Sequence, residues 1–397
     1  MTDPHHPTTG PRVKLRNIAT IFSGDLDAGF CDGDCVTTSG GFIDFVGYDA
    51  DSPDEDYATV IDVGGASVTP GLHDNHVHPV MGDYTPRQRM TDFIDSCLHG
   101  GVTTMMSAGE PHLPGRPTDA LGAKALAILA HKSFAKLRPS RVKVHAGAVL
   151  LEPDFVEADF DDLAAAGCTL VGEIGISGLK DPTEAAKMTS WAQARDMKVM
   201  VHTGGASIPG SGVIGPDFVV EVRPDVAGHV NGGPTSLAVD DVVRILDETD
   251  AHVELVHNGN IATLGAIANM LRERQELDRL VIGTDCPAGS GVQPLGILRV
   301  LSNVVSLGGM TADSAVAAAT GNVAKLHGHN RGQVAPGAEA DLLVVDSPMG
   351  SRADNAAGAL EIGDTLAVAV AMIDGEIVFT KSRNTPPPSR TITVGAA

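Results

Sequence analysis

Val68-Thr-Pro-Gly-Leu-His-Asp-Asn-His-Val-His78 is a short apolar run that ends in side chains able to bind a metal. In an extended chain alternate residues share a face, so Asp74, His76 and His78 point one way and His73, Asn75 and Val77 the other. Two imidazoles two residues apart on one face can hold one ion. The pair alone decides little, because a second His-x-His stands at His327 and His329. It gains weight only if residues downstream complete it.

Beyond Thr69-Pro-Gly the texture is periodic. Apolar runs at Val68 to Leu72, Val102 to Met106, Val142 to Leu150, Thr169 to Ile174, Lys198 to His202, Val226 to Val230, Ala251 to Val256 and Leu280 to Thr284 alternate with stretches of helical period, such as Asp119 to Lys136 and Asp240 to Glu248. This pattern predicts an α/β chain with a (β/α)8 TIM-like barrel over residues 68–330, near the ~250 residues typical of that fold. The flanking segments, 1–67 and 331–397, read as short strands and turns and are expected to form one small, discontinuous β domain. From Lys381, with Pro386 to Pro388, the chain reads as an arm that is loose or packed on a neighbour.

A formal net charge of -22 argues against a nucleic-acid or anionic-membrane surface, which needs clustered Lys and Arg. Cys31, Cys35, Cys97, Cys168 and Cys286 make neither a disulfide framework nor a paired C-x-x-C zinc pattern, which fits a reducing cytoplasm. Neither an apolar signal region nor a run of the ~20 apolar residues that span a membrane is found.

Glu173, His202, His229 and Asp285 stand at the ends of other predicted strands. His202 to His229 is 27 residues, Glu173 to His202 is 29 and His229 to Asp285 is 56, or two units of 28. One strand and one helix per unit would bring these residues to the C-terminal rim, where such barrels carry their active sites. Four imidazoles and two carboxylates exceed what one tetrahedral zinc with an open position needs. Two divalent ions fit better: one on His76, His78 and Asp285, the other on His202 and His229, with Glu173 bridging. A water between ions ~3.5–4 Å apart is hydroxide at neutral pH, and Asp285 can carry its remaining proton to a leaving nitrogen. His73, His252, His327 and His329 read as structural, and Cys286 as an inert buried thiol.

Pro70-Gly71 to His78, Glu173, His202, His229, Asp285, Ala319-Thr-Gly-Asn322 and Pro336 to Asp346 together resemble the amidohydrolase superfamily over nearly the whole chain. Many members bridge their metals with a carboxylated lysine on strand 4, a place held here by Glu173. Gly82-Asp-Tyr-Thr-Pro-Arg-Gln88, Ser107 to Pro117, Lys143 to Val149, His202 to Ser211, His229 to Thr235 and Lys381 to Pro387 are similar to the cyclic-enamide hydrolases within it. The resemblance implies zinc, with iron or a second zinc beside it, a homotetramer, and opening of 6-oxo-1,4,5,6-tetrahydronicotinate to 2-formylglutarate and ammonia. Val256-His-Asn-Gly-Asn260 and Cys286 to Ser290 depart from the family pattern, so His257 could mark a different ring. A carboxylated substrate on so acidic a protein calls for an Arg fork, from Arg87 or Arg116, with Tyr84, His112 and His145 adding hydrogen bonds. The alternatives are a hydrolase of another cyclic or N-acyl amide, a mononuclear deaminase, or a barrel without activity.

Overall fold

The computed structural model describes residues 3–79, 83–85, 88–207, 210–287 and 291–395. Among these, eight short parallel strands form the centre: β1 (Leu72–Val77), β2 (Val102–Ser107), β3 (Lys143–His145), β4 (Leu170–Ile174), β5 (Lys198–His202), β6 (Val226–Gly228), β7 (His252–Val256) and β8 (Leu280–Gly283). They lie in two arcs, ordered β3-β2-β1 and β4-β5-β6-β7-β8. Hydrogen bonds join the arcs on both sides. Val149 N–H donates to Leu170 O and Gly172 N–H to Val149 O beside β3 and β4. Beside β8 and β1, Asp285 N–H donates to His76 O and His78 N–H to Cys286 O.

The strands are buried on both faces, as parallel strands under a helical layer must be. Helices such as Ala120–Phe134, Pro182–Gln193 and Ile261–Arg274 supply that layer. Their starts are set locally: Asp119, Asp181 and Asn260 each accept a first-turn N–H.

Two further sheets mix both ends of the chain. One runs Thr393–Gly395, Thr59–Asp62, Val13–Arg16, Cys35–Ser39, Phe42–Gly47; the other Glu376–Phe379, Ala367–Ile373, Leu342–Asp346, Ser67–Pro70, Thr20–Phe22, Phe30–Cys31. Val68 therefore belongs to a terminal sheet, not to the first central strand as its apolar run suggests. Ser67–Pro70 pairs with Thr20–Phe22 and Leu342–Asp346, and β1 starts only at Leu72. Between them Gly71 donates its N–H to Asp341 O, and a Cβ there would collide with the side chain of Thr103, so only glycine lets the chain cross from sheet to sheet. β3 is also shorter than its apolar run, which continues past Gly147 as irregular chain.

The arm after Lys381 packs on its own chain rather than lying loose. Ser382 Oγ donates to His99 O, Asn384 Nδ2 to Ser96 O, Arg390 pairs with Asp346, and Thr393–Gly395 adds an edge strand. Buried charges tie the terminal sheets to the central strands: Lys143 Nζ on β3 lies 2.8–2.9 Å from Glu339, Asp341 and Asp374. No helix among the described residues is long and apolar enough to cross a membrane.

Candidate metal centre

His76 lies near the end of β1 and His78 just beyond it, their rings 5.1 Å apart. His76 Nε2 stands 3.5 Å from Asp285 Oδ1, and His78 Nε2 stands 3.3 Å from the same oxygen. Glu173 Oε2, on β4, is 3.6 Å from His76 Nε2 and 3.8 Å from His78 Nε2. His76, His78 and Asp285 thus bring three ligand atoms within 4.8 Å of one another, and Glu173 Oε2 faces both imidazoles of that set. The other glutamate oxygen serves a second group. Glu173 Oε1 lies 2.7 Å from His229 Nε2 and 3.5 Å from His202 Nδ1, and the two imidazole nitrogens are 2.9 Å apart.

These side chains fit two cations. His76 Nε2 and Glu173 Oε2 are fully buried, face each other and have no hydrogen-bond partner, a cost that a shared cation would remove. Electrostatics agree. Burial pushes the Glu173 carboxyl up, but His76 and hydrogen bonds from His202 and His229 hold it well below the usual range. Burial acts the same way on Asp285, and His76, His78 and His229 outweigh it. Both are thus kept as carboxylates.

Backbone geometry at two of these positions is unusual. His229 and Asp285 have φ of 34° and 57°, in the left-handed region that costs a residue with a Cβ about 1 kcal/mol or more. Asn258 Nδ2 donates to Asp285 O at 2.7 Å and fixes that turn.

Outer partners orient the rings. His78 Nδ1 faces Gly109 O at 2.9 Å, and His76 Nδ1 faces Glu254 Oε2 at 2.7 Å. Glu254, on β7, is absent from the sequence reading. Its signal was a carboxylate inside the otherwise apolar run His252-Val-Glu-Leu-Val256. Asp74, expected on the face of His76, instead accepts the N–H and Oγ1–H of Thr284 and props β8 against β1. Its burial pushes the carboxyl up to about 7 against those bonds. Cys286 is buried, and burial pushes its thiol up to about 12, as an inert role requires.

The expected substrate contacts divide. His112 sits edge-on to His78, with ring centroids 5.3 Å apart, and burial followed by the His78 charge lowers its pKa. Arg116 Nη1 pairs with Glu152 at 2.8 Å. His257 follows β7 and donates its N–H to Gly283 O, and burial, then the Arg299 charge, lowers its pKa. Arg87 and the side chain of Tyr84 lie outside the described residues. His145 is not brought to this site. It closes β3 opposite Met106 of β2, stacks on His329 at 4.2 Å and accepts a hydrogen bond from Arg331 Nη1. There it lines a cavity of about 690 Å³ with Thr169, Lys198 and Asp225, residues at the opposite ends of β4, β5 and β6.

Comparison with known proteins gives four findings. The model of the amidohydrolase family matches residues 242–378. An enamidase of Eubacterium barkeri is 48% identical over 95% of this chain and 97% of its own. The crystal structure of an enamidase superposes with a TM-score of 0.93 at 47% identity, covering 96% of this chain and 100% of that one. An adenine deaminase of Ruegeria is 25% identical over 79% of this chain and 51% of its own.

Proposed function

The chain belongs to the amidohydrolase family, and from that premise we propose that it hydrolyses the ring amide of a cyclic enamide, opening 6-oxo-1,4,5,6-tetrahydronicotinate to 2-formylglutarate and ammonia. It is a hydrolase of C–N bonds. The observation that carries the two-ion reading is Glu173, which offers one oxygen to His76 and His78 and the other to His202 and His229. Asp285 completes the first set.

When bound, two divalent ions, zinc with iron or a second zinc, supply an acidified water and polarise the scissile carbonyl. Asp285, held as a carboxylate, accepts the proton of the attacking water and returns it to the ring nitrogen as the C–N bond breaks. The enamine set free tautomerises to an imine, and a second water converts that to the aldehyde and ammonia. His112, edge-on to His78, lies where it can hydrogen-bond the substrate. With Arg116 already paired to Glu152, Arg87 is the better candidate for a substrate carboxylate.

The wider reading is a barrel closed at both seams, a small β domain from the two chain ends, a homotetramer, and a cytoplasmic site of action. The bonds of Val149 and of His78 across the two seams support the first, and the sheets that mix both termini support the second.

Elemental analysis with a screen of cyclic enamides and lactams tests the function. About two ions per chain, with ammonia and aldehyde released together and both lost on chelation, are expected. A protein loaded with two ions that opens lactams but no enamide would point to another cyclic amide, and activity unchanged by chelation would end the two-ion reading.

A further inference from the structure

Glu254 is fully buried beneath the proposed centre and touches both of its halves. Its Oε2 lies 2.7 Å from His76 Nδ1 and accepts the backbone N–H of His229 at 3.1 Å, while its Oε1 accepts from Asn75 Nδ2 at 2.7 Å. A carboxylate accepts and cannot donate, so His76 carries a proton on Nδ1, which leaves Nε2 as the ring nitrogen able to turn a lone pair to an ion. That Nε2 is the buried atom without a hydrogen-bond partner. The same constraint runs outward. Asn75 turns its amide nitrogen to Glu254, so its Oδ1 faces His327 Nε2 at 2.8 Å, and His327 donates. His78, by contrast, has only the neutral Gly109 O at its Nδ1. His229, at its strained φ of 34°, is held by the Glu254 bond to its N–H.

We propose that Glu254 is the positioning residue of the centre. It fixes the tautomer and direction of the His76 ring and anchors the His229 backbone, and the chain His327, Asn75, Glu254, His76 is polarised toward it. The inference rests on the two-ion reading above. Carboxylate partners of metal-bound histidines are typically worth about 10- to 100-fold in metal affinity.

The test is chelator competition on folded holoenzyme, following each ion separately, for wild type, Glu254→Gln and Glu254→Leu. The Gln variant can keep its bonds to His76 and His229 if Asn75 flips, and so removes mainly the charge; Leu removes every acceptor. Release of the ion bound through His76 at about 10-fold lower chelator in Glu254→Gln, and at about 100-fold lower in Glu254→Leu, is expected. Cobalt-loaded protein should show an altered visible spectrum in the same order. If wild type holds two ions and Glu254→Gln releases both at wild-type chelator concentrations while only its Tm falls, Glu254 is structural and the proposal is overturned. If wild type holds no pair of ions, the underlying reading fails instead. Should Glu254→Leu not fold, Glu254→Gln alone still decides.

Discussion

Asp285 combines a left-handed backbone, a carboxylate kept ionised by three imidazoles, and a place beside both His76 and His78. Such strain persists only where surrounding bonds over-determine it, here those to His76 O and from Asn258. Asp285→Asn keeps the shape and removes the proton acceptor. Its kcat/KM should fall by about 10²- to 10⁴-fold, measured as ammonia release, with Tm little changed. Near-wild-type turnover would remove the proton-carrying role. At this scale the candidate ligands were legible because residue type and unit spacing both pointed at them. Glu254 and Asp74 were harder to read: a carboxylate in a strand can prop a neighbour, orient a ligand or bind an ion, and only its partners distinguish these.

Among elements, those with local causes could be read from the sequence. Ala120–Phe134 follows from its helical period and from Asp119, whose Oδ1 accepts the N–H of Gly122 at 2.9 Å. Asp119→Ala should cost about 1 kcal/mol, seen as a lower Tm by calorimetry with metal content unchanged. An unchanged Tm would mean that packing alone sets this helix start. Ser67–Pro70 and β1 were read as one strand because Pro70-Gly71 is a weak local break, and the sheet switch depends on Asp341 and Thr103, both far away in sequence. Thr393–Gly395 is exposed and only three residues long; its pairing with Thr59–Asp62 left no periodic trace.

At the scale of the molecule, the seam between central strands and terminal sheets is rich in buried histidine. Burial pushes His5 down to about 4 and His327 to about 3, and with Arg331 nearby holds His73 and His145 well below 6.5. Since the folded values lie below the unfolded value of 6.5, the unfolded chain takes up protons that the folded one refuses as pH falls below 6.5. Tm measured in chelator, to exclude metal loss, should therefore fall as pH drops from about 6.5 toward 4. A His327→Gln variant should show a shallower fall, and a flat wild-type profile would show that these rings protonate in place. The sequence by itself determined the α/β alternation, the strongly acidic net charge, and which residue types could share a metal centre, because period, charge and donor chemistry are local properties. The tertiary structure alone decided which strand Val68 joins, that His145 stands away from the candidate site, and that Glu254 faces His76. Each of these depends on register and distance between residues far apart in the chain, which spacing along the sequence does not encode.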